Sequence, residues 1–133
     1  MKFMLIQSYA ATETVGEPMS SWPAEDVKAH IDFQRAVNKE LTERGELVEA
    51  QALTAPDQAK IVVHDGVDAP VLTDGPFPES KELLAGYRIV DVESPERAIE
   101  IAAQVSAAPG PHGVPIKQPI EVREVMGAAG IEV

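Results

Sequence analysis

The longest regular pattern in the sequence is a helix that runs from Pro23 to about Arg44. Proline suits the first turn of a helix because its φ is already helical, and Gly45 suits the residue that follows the end. Between them, apolar residues recur at three- and four-residue spacing, at Ala29, Phe33, Ala36, Val37 and Leu41. A helix with one apolar stripe has to lie against another layer, and the sequence therefore predicts a helix packed on a sheet.

Strand patterns lie on both sides of this helix and of a second one. The second helix begins at Ser94, which can cap its first turn. Its apolar positions share one broad face and comprise Ala98, Ile99, Ile101, Ala102 and Val105. Strands are predicted over residues 2–9, 46–53, 59–64, 71–73, 87–92 and 120–125, with 46–53 and 59–64 forming a hairpin. The proline-rich residues 107–119 are predicted to form a loop.

The order of these elements predicts one α+β domain over residues 1–133. Strand, helix, strand, strand, helix and strand is the ferredoxin-like βαββαβ order, and the short strand at 71–73 belongs to an inserted strand or hairpin. Both helices would then cover one face of the sheet. Because the strands are too apolar for the other face to stand in water, we expect a homodimer that pairs the sheet faces.

The composition excludes several classes of function. With 22 acidic and 11 basic side chains the net charge is −11, which repels nucleic-acid phosphates and anionic membrane surfaces. The chain has no cysteine, so sites that depend on thiolates are excluded. The first residues lack a signal-peptide pattern, and no segment approaches membrane-spanning length. We expect a cytoplasmic protein that binds neither nucleic acid nor membrane.

The segment Asp74-Gly75-Pro76-Phe77 is followed by a second proline, and its backbone path is narrowly defined. Gly75 can adopt positive φ, whereas each proline fixes φ near about −65° and offers no N–H. Such a path can hold the Asp74 carboxylate in one place. The plainer interpretation is a turn in which Asp74 bonds its own downstream amides.

Further residues accompany this motif: Glu79, Lys81, Glu82, Gly86, Tyr87 and the closing segment 120–123. In this combination the chain resembles, over nearly its whole length, the DGPF subgroup of the YCII-related proteins. The resemblance implies a dimeric α/β-barrel of ferredoxin-like subunits, with a pocket between helices and sheet. It also implies a His–Asp pair, for which His30 and Asp74 match the family positions. Genes of this subgroup are often adjacent or fused to those of sigma factors, which implies a regulatory role as the alternative.

His30 and Asp74 are therefore the candidate catalytic residues. A histidine oriented by a carboxylate can accept or donate a proton near neutral pH. Their contact is implied by the resemblance and not by their spacing, and the alternative for His30 is a ring satisfied by a backbone carbonyl. Phe77, Lys81 and Tyr87 are candidate pocket residues. Their respective structural alternatives are core packing, a solvated ion pair and a hydroxyl at the sheet rim.

No signature of a cofactor or metal site accompanies these candidates. The chain has no nucleophile elbow, phosphate-binding loop, dinucleotide fingerprint or zinc-binding helix motif. His30, His64 and His112 fall in three separate elements, so we predict neither a metal nor a cofactor. The first function predicted is a small enzyme that abstracts a proton beside a carbonyl group of a small organic molecule, leading to elimination or isomerisation. The alternative is a noncatalytic ligand-binding or sigma-factor-associated regulatory module.

Overall fold

The computed structural model describes residues 1–8, 19–75 and 84–127. Its helices are α1, Ala24–Glu43, and α2, Pro95–Ser106. Its strands are β1 (Lys2–Ser8), β2 (Leu47–Ala52), β3 (Lys60–Val63), β4 (Val71–Asp74), β5 (Leu84–Asp91) and β6 (Ile120–Glu124). None of the helices in these ranges combines the length and the apolar character that crossing a membrane requires.

Four of the strands form one antiparallel sheet in the order β2-β5-β1-β6. β1 lies beside β5 with Leu5 opposite Arg88, and beside β6 with Leu5 opposite Val122. β2 occupies the edge next to β5, in a ladder that begins with Leu47 opposite Val90. With the β3–β4 pair set apart, this is the ferredoxin-like order, and the predicted α+β fold is confirmed.

Both helices pack against the same face of this sheet. Successive strand residues point to opposite faces, and Phe3 and Leu5 of β1 and Val90 of β5 point toward the helices. They share one core with buried residues of α1 and α2, which are Val37, Leu41, Ala98, Ile101, Ala102 and Val105. Burial of these apolar side chains holds both helices over the sheet.

Each helix buries a narrower face than the sequence predicts. On α1, Val37 and Leu41 are buried, whereas Ala29 and Ala36 are exposed. On α2, Ile99 has 58% of its surface exposed. Because the sheet covers only one side of each helix, side chains at the flanks of the apolar stripe stay in water.

The predicted hairpin of residues 46–53 and 59–64 is wrong. β2 pairs with β5, and β3 pairs with β4 in a separate two-stranded sheet. A 3-10 turn at Pro56–Gln58 interrupts the chain after β2. The β3–β4 connection is closed by Asp65, whose carboxylate accepts hydrogen bonds from two backbone N–H groups of the turn. The 3-10 turn separates β2 from β3, and the inserted hairpin is formed by β3 and β4.

Residues 107–119 form the predicted loop, and it folds back over the beginning of α1. The Ile116 N–H donates to the Ala108 carbonyl at 2.9 Å, and that of Gln118 donates to the Ser106 carbonyl at 3.3 Å. Ala108 and Ile116 form a second small core with Trp22, the residue that lies two positions before α1. This arrangement brings the backbone of the loop into contact with α1.

Candidate functional site

Three polar side chains of α1 form a hydrogen-bonded group with one arginine of β5. His30, Gln34 and Asn38 are spaced four residues apart, which places them along one side of the helix. Arg88 faces them from the sheet and bonds to Gln34 and Asn38. These four residues, here called the Arg88 cluster, lie between helix and sheet and constitute the candidate site.

His30 is held by the loop that folds over α1. His30 is only 8% exposed, and its Nδ1 lies 2.9 Å from the Pro109 carbonyl oxygen. A carbonyl can only accept, so Nδ1 carries the hydrogen and donates it. The Trp22 ring packs edge-on against the imidazole, with 5.6 Å between ring centroids. This hydrogen bond and the packing of Trp22 fix the orientation of the ring and place a hydrogen on Nδ1.

Gln34 connects His30 with Arg88. Nη2 of Arg88 donates to Oε1 of Gln34 at 2.6 Å, which leaves the Gln34 amide NH2 group to face His30. Nε2 of Gln34 lies 3.3 Å from Nε2 of His30 and donates to it. The lone pair of the imidazole is therefore on Nε2 and points toward the interior of the Arg88 cluster.

Arg88 is a buried cation with neutral partners. The residue is 4% exposed, and its Nε donates to Oδ1 of Asn38 at 2.8 Å. Among the residues that the structure describes, no carboxylate forms an ion pair with it. Loss of hydration lowers the pKa of Arg88 from its ordinary value. A guanidinium nevertheless remains charged at neutral pH, so the cluster contains a positive charge without a counter-ion in this part of the chain.

Asp74 is the last residue of β4 and lies at the protein surface. Its side chain is 83% exposed, and its carboxylate forms an ion pair with the Lys60 ammonium on the neighbouring strand β3. The hydrogen-bond partners of His30 are Pro109 and Gln34, so the structure does not bring His30 and Asp74 into contact. In the described conformation a backbone carbonyl occupies the position of the carboxylate predicted to orient the histidine.

The predicted pocket residues have different outcomes. Phe77 and Lys81 lie outside the described residues. Tyr87 precedes Arg88 in β5 and therefore points to the opposite face of the sheet. Its hydroxyl donates to Oε2 of Glu49 at 3.1 Å, and this hydrogen bond raises the pKa of Tyr87. Tyr87 is thus separated from the Arg88 cluster by the sheet itself.

Sequence reasoning missed Gln34, Asn38 and Arg88. The signal was present, because Gln34 and Asn38 follow His30 at successive four-residue steps on one helix. Arg88 shares its parity in β5 with Val90, a core residue, and a charged side chain on a core-facing position is unusual. Across residues 1–8, 19–75 and 84–127, no three His, Asp or Glu side chains are grouped in a way that could hold a metal ion.

Comparison with known proteins identifies relatives over most of the chain. The family model of the YCII-related domain matches residues 1–121. A protein of Rhizobium meliloti (strain 1021), named uncharacterized protein R00369, is 29% identical over 89 residues. The aligned part covers 67% of the present chain and 71% of that protein. The family match includes both helices, the first five strands and the first two residues of β6.

Proposed function

Because the chain belongs to the YCII-related domain family, we propose that it is a small enzyme whose general base is His30. The observation that carries this proposal is the 2.9 Å hydrogen bond from Nδ1 of His30 to the Pro109 carbonyl. It leaves a lone pair on Nε2, one side chain away from the buried cation of Arg88. A base near a buried cation suits the abstraction of a proton beside a carbonyl, because negative charge develops on the carbonyl oxygen.

The proposed step is a proton transfer from carbon to nitrogen. The Gln34 NH2 group first releases its hydrogen bond to Nε2 of His30. The Nε2 lone pair then takes the proton, the electrons of the C–H bond form the C=C bond of an enolate, and the carbonyl π electrons move to oxygen. The imidazolium then returns the proton to the same carbon or to another one, or the enolate expels a leaving group from the adjacent carbon. Exchange, isomerisation and elimination are the respective results.

Asp74 enters this proposal as the second catalytic residue, predicted from the family resemblance. Its ion pair with Lys60 would have to open before the carboxylate could approach His30. Asp74→Asn tests this role, because it removes the charge and keeps the shape. Slower proton exchange in this variant would support a role of Asp74 in the reaction. Unchanged exchange would show that Asp74 has no such role beyond its ion pair with Lys60. Phe77 and Lys81 stay predictions as pocket residues, and Tyr87 stays one only for a pocket on the opposite face of the sheet from the Arg88 cluster.

Deuterium exchange on simple carbonyl compounds tests the reaction, whatever the natural substrate is. Pyruvate and cyclohexanone are incubated with the protein in D2O, and loss of the proton signals beside their carbonyl groups is followed by NMR. We expect exchange faster than in protein-free buffer, and about a hundredfold slower with His30→Gln. The glutamine amide can still donate to the Pro109 carbonyl, so this variant separates the base from its structural hydrogen bond.

His64→Gln is the matched control for the histidine substitution. His64 lies in the exposed turn between β3 and β4, where its Nε2 contacts the Asp68 carbonyl. We expect exchange with this variant at the rate of the parent protein. Equal exchange by His30→Gln and the parent, or equal loss in both histidine variants, would reject His30 as the base.

The proposal includes a homodimer formed through the helix-free face of the sheet. Met4 and Ile6 of β1 and Tyr87 and Ile89 of β5 lie on this face, and each of them is half-buried within the single chain. Their register places Met4 opposite Ile89 and Ile6 opposite Tyr87. An apolar strip across the two central strands supports pairing with a second copy of the same strip.

A noncatalytic ligand-binding or sigma-factor-associated regulatory module is the second candidate. The observation that favours it is that both candidate residues already have polar partners. Both ring nitrogens of His30 are hydrogen-bonded, and Asp74 is paired with Lys60. The same exchange experiment separates the candidates. Binding of small molecules at the Arg88 cluster without any exchange by the parent protein would favour the module over the enzyme.

A further inference from the structure

The charge of Arg88 is not neutralised by any group that contacts it in the described part of the chain. Its two hydrogen-bond acceptors are the amide oxygens of Gln34 and Asn38, at 2.6 Å and 2.8 Å. Both are neutral, and the residue is 4% exposed. A buried cation normally has an anionic partner, because dipoles alone replace only part of its lost hydration. Within the described part of the chain, Arg88 is therefore a buried cation without an anionic partner.

The guanidinium also has hydrogen-bond donors to spare. Arginine offers five N–H groups, and the bonds to Gln34 and Asn38 use one on Nη2 and one on Nε. Nη1 makes no hydrogen bond to the described residues. Nη1 therefore carries N–H groups that no described residue accepts. Nη1 and Nη2 together form the edge that binds a carboxylate through two parallel hydrogen bonds.

We infer that Arg88 binds the carboxylate of a small organic acid, and that this contact anchors the ligand beside His30. Gln34 touches both His30 and Arg88, which places the anion-binding edge and the basic Nε2 within the span of one side chain. The inference rests on the proposed function for the location of the ligand. It extends that function by naming the substrate class: carbonyl compounds that also carry a carboxylate.

The charge of the whole chain favours a carboxylate over a phosphate. At a net charge of −11, the mean field opposes the approach of any anion, and it opposes a dianion more strongly than a monoanion. Carboxylates and phosphates share the same bidentate contact with arginine. The distinction between them is therefore made by experiment, with inorganic phosphate as one of the probes.

Binding is measured with benzoate, its uncharged analogue benzamide, and inorganic phosphate. The arginine Nε–Hε signals in nitrogen–proton NMR spectra report which arginine responds. We expect benzoate to shift the Arg88 signal and to bind, whereas benzamide does not. Arg88→Gln should weaken benzoate binding by about thirtyfold or more, since it removes one partner of a buried charge pair.

Gln34→Glu is the second variant, and it does not depend on loss of the arginine. It replaces the amide NH2 group by an oxygen, and so supplies a carboxylate to Nη2 of Arg88 from within the protein. We expect it to weaken benzoate binding by a similar factor, and to raise the denaturant concentration at the unfolding midpoint because the buried charge is then paired. Arg123→Gln, at an exposed position on β6, is the control that should leave binding unchanged.

Each outcome decides between the two proposals. Equal benzoate binding by the parent, Arg88→Gln and Gln34→Glu, equal binding of benzamide, or no benzoate binding by the parent would overturn the carboxylate site. Binding of phosphate in place of benzoate would overturn the ligand class. Benzoate binding that depends on Arg88, without deuterium exchange on pyruvate, would leave the anion site in place and reject the proposed reaction. Exchange on pyruvate that is indifferent to Arg88→Gln would reject the anion site alone.

Discussion

Gln34 links a base and a cation through a single side-chain amide. Arginine only donates hydrogen bonds, so the Gln34 oxygen has to face Arg88 and its NH2 group has to face His30. His30 can accept this bond on Nε2 because its Nδ1 hydrogen is already donated to Pro109. Reversing any one of these groups would set donor against donor. One tautomer of His30 is therefore fixed by partners none of which is a carboxylate.

Ile99 and Ile101 provide a direct test of which face of α2 is buried. Ile101 is fully buried in the core, whereas Ile99 is largely exposed. We expect Ile101→Ala to lower the free energy of unfolding by about 2–5 kcal/mol, because it leaves a cavity. Ile99→Ala should change it by less than about 0.5 kcal/mol. Denaturant unfolding measures both variants, and equal losses would contradict the assignment of Ile99 to the solvent side.

Part of the candidate site could be predicted from the sequence at the level of single residues. Four-residue spacing places Gln34 and Asn38 beside His30, and strand alternation places Arg88 on the core side with Val90. Both patterns are visible without a structure. The bond from His30 to the Pro109 carbonyl is not, because it depends on how the loop folds back over α1. Loops without periodicity carry no signal of their tertiary contacts.

At the scale of whole elements, local sequence patterns likewise fail to predict which strands pair. Alternation in residues 46–53 correctly indicates a strand, but it does not indicate the neighbour of that strand. The neighbour is β5, because the Asp91 N–H donates to the Glu46 carbonyl and the Leu53 N–H donates to the Ala85 carbonyl at the two ends of the ladder. These contacts join segments far apart in sequence. The helices have local hydrogen bonds, and the sequence predicts them within a few residues of their observed ends.

The attachment of α2 to the start of β2 depends on Glu46. Arg97 of α2 donates to the Glu46 carboxylate through Nε at 2.9 Å and Nη2 at 2.8 Å. These hydrogen bonds lower the pKa of Glu46 from its ordinary value of 4.5. The folded state therefore holds fewer protons on Glu46 than the unfolded state at acidic pH. Its contribution to stability is complete above about pH 4.5 and is lost as the pH falls through the lowered pKa.

Glu46→Gln should weaken this attachment and its pH dependence together. We expect the free energy of unfolding to fall by about 1 kcal/mol at neutral pH, and its decline below pH 4.5 to become shallower. Urea unfolding at neutral pH and at several acidic values measures both effects. Glu100→Gln is the control, because Glu100 meets the same Arg97 from an exposed position and should contribute little. An unchanged slope in Glu46→Gln would contradict this account.

The two faces of the main sheet carry different sets of side chains. The face under the helices contains the aliphatic core and, next to it, the Arg88 cluster. The other face carries an apolar strip, including Met4 and Ile89, with the Tyr87–Glu49 hydrogen bond beside it. A partner on the second face would leave the cluster on the first face untouched. Assembly and ligand binding are therefore separable, and each can be tested without disturbing the other.

Ile89→Lys tests the homodimer at the centre of the helix-free face. Ile89 lies opposite Met4 on β1 and opposite Glu49 on β2, so a lysine has an acidic neighbour within the single chain and the fold should be kept. In a dimer the same charge would be buried between two apolar strips. We expect sedimentation equilibrium to give twice the 14.3 kDa chain mass for the parent protein, and a dissociation constant raised by about thirtyfold or more in the variant. Ile99→Lys, on the exposed side of α2, should behave like the parent. A monomeric parent, or an Ile89→Lys protein that dimerises as tightly as the Ile99→Lys control, would rule out this face as the dimer contact.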